Sequence, residues 1–275
     1  GQPATLEVMG QTCSSPYTIV TATDNGYLCE ATVTSPNGSM FVVMDRYINH
    51  KGGELEMQRS VKVQSVGEGD EYFCSKYAIA TLDNMTLTSN EYLVPGMMYK
   101  GYFEPECNTL PRWPRETDHW FIYRNDNTPL PFVMSRSKSS GITITLAHKD
   151  PPDKTVMNDV NRVIYDADYQ FGSCGMYRDS VNAKTYQVVY FPGTTQLTRG
   201  SGGYDLRFHP VATDLKHEYN VYLKINTTDS YAQAARESWN KVFDLYNPKI
   251  YPVDLDTCYE GLMQRSEEHT TELQS

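Results

Sequence analysis

The stretch from Tyr17 to Ile48, "YTIVTATDNGYLCEATVTSPNGSMFVVMDRYI", alternates apolar and polar residues for most of its length and is punctuated at Asp24-Asn25-Gly26 and Pro36-Asn37-Gly38. A period of two marks strands that bury one face, and Asn-Gly accepts the positive φ of tight hairpin turns. Three antiparallel strands joined by two hairpins are therefore expected. The same pattern returns in "ELEMQRSVKVQSV", "EYFCSKYAIATL" and "NMTLTSNEYLV". It continues in "LPFVMSRSKSSGITITLAH", where Ser139-Ser140-Gly141 joins two strands, and in "RVIYDADYQFG", "KTYQVVYFPG" and "HEYNVYLKIN". About a dozen strands are too many for one open sheet. The chain is thus expected to be mainly β, a large antiparallel β-sandwich of the supersandwich kind.

The period changes after residue 228. In "TDSYAQAARESWNKVFDLYNPKIYP", Asp229 or Ser230 offers an N-cap. Tyr231, Ala235, Trp239, Val242, Phe243 and Tyr246 then recur at helical spacing. Asn247-Pro248 ends that helix, because the residue before proline is pushed out of the α region. A second helix is expected from Asp254. These periods divide the chain into a β-sandwich at 1–228 and, at 229–264, a linker helix with the beginning of a truncated helical domain. Residues 265–275, "RSEEHTTELQS", resemble the translated read-through of a common sequencing adapter and are expected to be an artefactual tail.

With 275 residues, 39% of them hydrophobic, the chain can bury a sizeable core. Its formal charge of -10, with no Lys/Arg run longer than two, disfavours nucleic acid as a partner. No run of eighteen apolar residues occurs, so no membrane-spanning helix is expected. The six cysteines lack C-x-x-C spacing, which argues against zinc-ribbon and thioredoxin-like readings and favours buried thiols. They do not fix the compartment. G-x-S-x-G, H-E-x-x-H, P-loop and dinucleotide fingerprints are missing, and His119, His148 and His209 lie singly rather than at metal-ligand spacing. No cofactor and no metal are called for.

One segment breaks the strand pattern. Between Lys100 and Phe132 lie Pro105, Pro111, Pro114 and Pro129 together with Tyr102, Phe103, Trp113, Trp120, Phe121 and Tyr123. Prolines at this density forbid a central strand, and long loops rich in aromatics are ordered and functional more often than disordered. Two readings are open. In one the aromatics pack on a neighbouring domain while Arg112, Arg115 and Arg124 pair with Glu104, Glu106, Glu116 and Asp118. In the other the loop reaches a ligand, flat rings suiting sugar faces and planar polar groups suiting hydroxyls or a carboxylate.

The run "NEYLVPGMMYKGYF", the Trp/Arg segment, "YRNDNTPLPFVMSR" and the amphipathic "AARESWNKVFDLYNPKI" together resemble the N-terminal β-sandwich of six-hairpin glycosidases and related lyases, bacterial carbohydrate-active enzymes whose catalytic part is an (α/α)6 toroid. The resemblance implies a non-catalytic module of a larger polysaccharide- or oligosaccharide-degrading enzyme. Its partners would be a carbohydrate substrate and a C-terminal helical domain of the same chain, and the catalytic carboxylates would lie beyond residue 264. It also implies that the segment Tyr99 to Arg124 leans over the substrate, with Tyr99, Trp113, His119, Trp120 and Arg124 as the substrate-binding candidates. Two alternatives stand beside it: a stand-alone carbohydrate-binding module, and a mutarotase-like sandwich in which His148 or His209 pairs with Glu218 as base and acid.

Overall fold

The computed structural model describes residues 3–75, 77–80, 89–100, 120–125, 128–149, 156–158, 163–165, 173–178, 185–189, 194–196, 204–206, 209–249, 254, 256–260 and 263. In chain order the first strands are β1 (Ala4–Val8), β2 (Gln11–Ser15), β3 (Ile19–Thr23), β4 (Gly26–Thr34), β5 (Met40–His50), β6 (Glu54–Ser65) and β7 (Tyr72–Cys74). There follow β8 (Tyr77–Ala80), β9 (Asn90–Val94), β10 (Met98–Lys100), β11 (Trp120–Arg124), β12 (Phe132–Ser137), β13 (Ile142–Lys149) and β14 (Val156–Asn158). The last are β15 (Val163–Tyr165), β16 (Ser173–Arg178), β17 (Thr185–Val189), β18 (Thr194–Gln196), β19 (Tyr204–Leu206), β20 (His209–Pro210) and β21 (Lys216–Thr227), before the helix α1 (Tyr231–Tyr246).

The fold is a large antiparallel β-sandwich. Nine strands form one sheet in the order β10-β9-β12-β13-β21-β6-β5-β4-β3, and two four-stranded sheets, β2-β1-β7-β20 and β11-β16-β17-β8, form a second layer. Both smaller sheets pack on the same face of the large one. Odd-numbered residues of β6 show this: Met57 joins a core cluster with Phe121, Cys174, Met176 and Val189, whereas Val61 and Val63 join a second cluster with Leu6, Val8, Phe41 and Phe73. Alternation of side chains thus sends odd residues of β5, β6 and β21 inward and even ones outward.

The turn chemistry separates into two cases. At Ser35-Pro36-Asn37-Gly38 the Gly38 N–H donates to the Ser35 carbonyl at 3.0 Å, and Gly38 has φ +91°, as the sequence pattern requires. At Asp24-Asn25-Gly26 no residue takes a positive φ, contrary to the expectation from Asn-Gly. Gly26 begins β4, and a Cβ there would lie 1.8 Å from the Tyr47 carbonyl oxygen. The glycine is needed for close approach of two backbones, not for its handedness.

Asp70 ties the β4–β5 turn to the segment between β6 and β7. Its carboxylate accepts hydrogen bonds from Ser35 Oγ, from Ser39 Oγ at 2.6 Å and from Asn37 Nδ2 at 3.0 Å, while Ser39 Oγ also accepts the Gly67 N–H at 2.8 Å. Burial alone would raise this carboxyl, but the three donors outweigh it and hold its pKa below the usual carboxylate range.

The helix packs on the outward face of the large sheet. Ser230 Oγ caps it by accepting the Gln233 N–H at 3.2 Å. Ser238 meets Thr145 of β13 at 2.6 Å, Trp239 sits edge-on to Phe132 of β12 with centroids 6.3 Å apart, and Lys241 bonds Glu54 of β6 at 2.6 Å. The buried residues are Ala234, Ser238 and Val242. Of the expected stripe Val242 is buried, but Ala234 and Ser238 take the seam in place of Ala235 and Trp239, because small side chains let the helix approach the sheet and Trp239 flanks it.

The chain divides into two compact units, Gly1–Val242 and Phe243–Ser275. Within the second, Asn247 at φ +42° donates its N–H to the Phe243 carbonyl at 2.8 Å and closes the helix. Asp254 accepts the Asp256 N–H at 3.2 Å and Thr257 Oγ1 at 2.7 Å, capping helical residues 256–260. Residues 265–275 lie outside the described residues. Among the described cysteines, Cys13, Cys29, Cys74 and Cys174 are buried free thiols and Cys258 is exposed.

A carboxyl held below its unfolded pKa stabilises the fold fully above that ordinary value, about 3.9, and the contribution is lost as pH falls through the folded-state value. Thermal unfolding of wild type and Asp70→Asn across the acid range should show the variant less stable at neutral pH. The gap between the two should narrow below roughly pH 4.

Candidate functional site

The inward face of the large sheet is not apolar throughout. Where the two core clusters meet, Asp45 of β5 and Arg59 of β6 stand directly opposite each other, 0% and 6% exposed. Arg59 grips the carboxylate with both ends of its fork, Nε to Oδ1 at 2.7 Å and Nη2 to Oδ2 at 2.6 Å. Tyr17 donates its hydroxyl to the same carboxylate. The remaining guanidinium nitrogen, Nη1, donates to Ser75 Oγ at 3.3 Å, and Ser75 meets the Tyr219 hydroxyl at 2.8 Å. Ser75 lies between β7 and β8, where the chain passes from one small sheet to the other. Backbone and side chains at such a crossing fall outside regular ladders and need polar partners.

Electrostatics fix the states of this cluster. Burial alone would lower the Arg59 pKa, yet Tyr219 and the Asp45 carboxylate raise it well above normal, so the guanidinium stays charged. Burial, and then the Asp45 charge, push Tyr47 up to about 12, and burial chiefly pushes Tyr219 up to about 12. All the hydroxyls here remain protonated donors at neutral pH.

On the outward face the same strands line an open groove of about 610 Å³. Arg46 of β5 faces Gln58 of β6, and Met44 faces Ser60. Leu28 of β4, Arg59 of β6, Glu218, Asn220 and Tyr222 of β21 and Lys149 at the end of β13 complete the lining. Glu56 anchors the two amides: its Oε1 accepts Gln58 Nε2 at 2.8 Å and Asn220 Nδ2 at 3.3 Å, and its Oε2 lies 3.2 Å from His50 Nε2. Each amide gives one N–H to Glu56, and Asn220 also bonds Tyr222, so the groove presents both amide donors and amide acceptors. Arg46 is exposed beside them with a planar set of donors. Because Asp45 and Arg59 are adjacent in sequence to Arg46 and to Gln58 and Ser60, the buried ion pair sets the register that places the groove's side chains.

The substrate-binding candidates from the sequence are placed as follows. Tyr99 lies on β10, an edge strand of the large sheet; it is 58% exposed, and its hydroxyl accepts the Gly96 N–H at 2.9 Å. Trp120 and Arg124 begin and end β11, opposite Tyr177 and Ser173 of β16, with their side chains outside the described residues. Trp113 and His119 also lie outside them, as do the acids and Arg112 and Arg115 of the expected charge pairs. The expectation of unbroken loop up to Phe132 is corrected: residues 120–124 form a strand, because Phe121 reaches the core and Tyr123 packs against it.

The pairing of His148 or His209 with Glu218 is also corrected. Glu218 points outward into the groove, whereas His148 is fully buried with Asn125 at 2.8 Å from its Nε2, and His209, on β20 of the second layer, stacks on His217 with ring centroids 3.9 Å apart. His148 sits opposite Val221, an inward residue of the same strand that carries Glu218. Strand alternation puts the histidine and the acid on opposite faces. Compared with models of known protein families and with curated proteins, the chain matches none.

Removing one partner of a buried ion pair leaves the other charge uncompensated, at a cost of about 3–5 kcal/mol. Asp45→Ala should lower the unfolding free energy by about that much in denaturant titrations. Replacing Arg59 and Asp45 together by Met and Leu should lose less than either single change, and a double variant as unstable as the sum of the singles would contradict the pairing.

Proposed function

We propose that the chain is a β-sandwich module of a larger polysaccharide- or oligosaccharide-degrading protein, and that it holds a sugar chain in the outward groove of its nine-stranded sheet. The observation that carries this reading is the chemistry of the lining. The side-chain amides of Gln58 and Asn220, with Arg46, Ser60 and Tyr222, line one open surface. Sugar hydroxyls need donors and acceptors alternately, and ring faces suit aromatic and apolar side chains. The groove is open, as a surface for a polymer must be.

The role is holding rather than cutting. Glycoside hydrolysis by the usual route takes two carboxylates flanking the bond, and among the described residues Glu218 is the one acid lining the groove, bound to Lys216 at 2.6 Å. Catalysis would then belong to a helical domain of the parent protein.

Calorimetric titration with neutral and acidic oligosaccharides tests the groove. Gln58→Ala and Asn220→Ala should each weaken binding roughly three- to tenfold, about the worth of one hydrogen bond, and Tyr222→Ala by more, with unfolding temperatures little changed. Absence of binding to every glycan class, or binding that these variants leave intact, would remove the assignment.

A further inference from the structure

The two edges of the nine-stranded sheet differ. The β10 edge is three residues long and ends at Lys100, whose φ of +61° turns the backbone away and whose N–H donates to the Tyr231 hydroxyl at 2.9 Å. This edge is short and closed, as edges that resist pairing are. The β3 edge is neither. Its five residues, Ile19-Val20-Thr21-Ala22-Thr23, are β-branched at four positions, carry no charge, and have no positive-φ residue to twist them away. Ile19 is 50% and Val20 60% exposed, and Tyr27 on the adjoining β4 is 55% exposed. One side of β3 pairs with β4 along its whole length, which leaves the backbone groups of the other side without a strand among the described residues.

We propose that β3 is a pairing edge at which two copies of this chain associate, antiparallel about Thr21, into one sheet continuous across a two-fold axis. The strand is complementary to itself in that register. Thr21 meets its own copy, Val20 meets Ala22 and Ile19 meets Thr23, all uncharged and suited to cross-strand packing. A second copy is the occupant that the charge pattern favours. The chain carries -10 overall, yet the span from Ser14 to Thr23 holds no ionisable carboxylate or cation, so two copies can approach here without opposing like charges. Isologous contacts of this kind close after two subunits. The axis stands normal to the sheet, so the two outward faces, each with its groove, lie on the same side of the dimer.

Sedimentation velocity of the full chain over a concentration series tests this. The wild type should move from the 31.3 kDa monomer toward twice that mass, and amides of β3 should exchange more slowly at high concentration. Thr21→Lys places two like charges face to face and should weaken association several-fold; since Thr21 is exposed, circular dichroism and the unfolding temperature should not change. Thr21→Glu should act the same way, and Thr21→Val should leave association intact or strengthen it. A wild type monomeric up to millimolar concentration would overturn the proposal. So would association that Thr21→Lys leaves unchanged or strengthens, because overall charge or another surface would then govern it, and so would β3 exchange rates independent of concentration.

Discussion

A guanidinium buried within a nine-stranded sheet persists only if its charge is matched and its nitrogens find acceptors. Arg59 meets that condition through Asp45 and Ser75, with Tyr17 and Tyr219 completing the network. The position explains the need. The second layer is two sheets rather than one, and their meeting line crosses the large sheet over β5, β6 and β21. An apolar core could fill the space on either side of that line, but the crossing segment around Ser75 brings polar groups with it. The ion pair therefore does two things: it serves polar groups at the seam, and it fixes which residue of β5 stands opposite which residue of β6. A slip of one residue would turn every side chain of a strand to the other face, and burying Arg46 in place of Asp45 would set two arginines together in the core.

The sandwich was legible because its inward face obeys the period of two along long strands. Phe41 and Val43 on β5, Met57, Val61 and Val63 on β6, and Tyr219, Val221 and Leu223 on β21 are the residues that the alternation selects, and they are the core. What the pattern could not supply was the reason for individual residues. Gly26 looked like a turn residue because it follows Asn25, yet its place is set by the Tyr47 backbone on a neighbouring strand, a contact with no local signal. The helix behaved likewise. Its existence and its ends followed from caps and from Pro248, whereas its buried stripe of Ala234, Ser238 and Val242 depends on how close the sheet lets it come.

The candidate site was less legible than the fold, and the reason is physical. Attention in the sequence falls on concentrated aromatics and prolines, and the segment from Tyr99 to Arg124 has both. The groove is built from residues that look ordinary one at a time: Arg46, Gln58, Ser60, Asn220 and Tyr222 read as the solvated positions of half-buried strands. Only strand order brings them together, because β21 pairs with β6 across some 160 residues of chain, as Asn220 and Glu56 show. Glu218 was singled out in sequence for a different chemistry, with a histidine on the same face. Alternation along β21 and β13 already separates Glu218 from His148 once their pairing is known, but pairing is what a single strand does not reveal.

The width of the sheet links the groove to the exposed edge. Nine strands span roughly 38 Å at the usual spacing, and one helix is about 10–12 Å across, so α1 can cover only part of the outward face. It lies over β12, β13 and β21, where Phe132, Thr145 and Asn226 receive it. Beyond Glu54, which Lys241 of the helix reaches, no element among the described residues covers β6, β5 and β4, and there most outward residues are polar, as on uncovered sheet faces. Apolar outward residues occur there too: Val42, Met44 and Ile48 on β5, Leu28 on β4 and Ile19 on β3. Ile19 carries this apolar character onto the last strand, where a second copy paired at β3 would continue the outward surface.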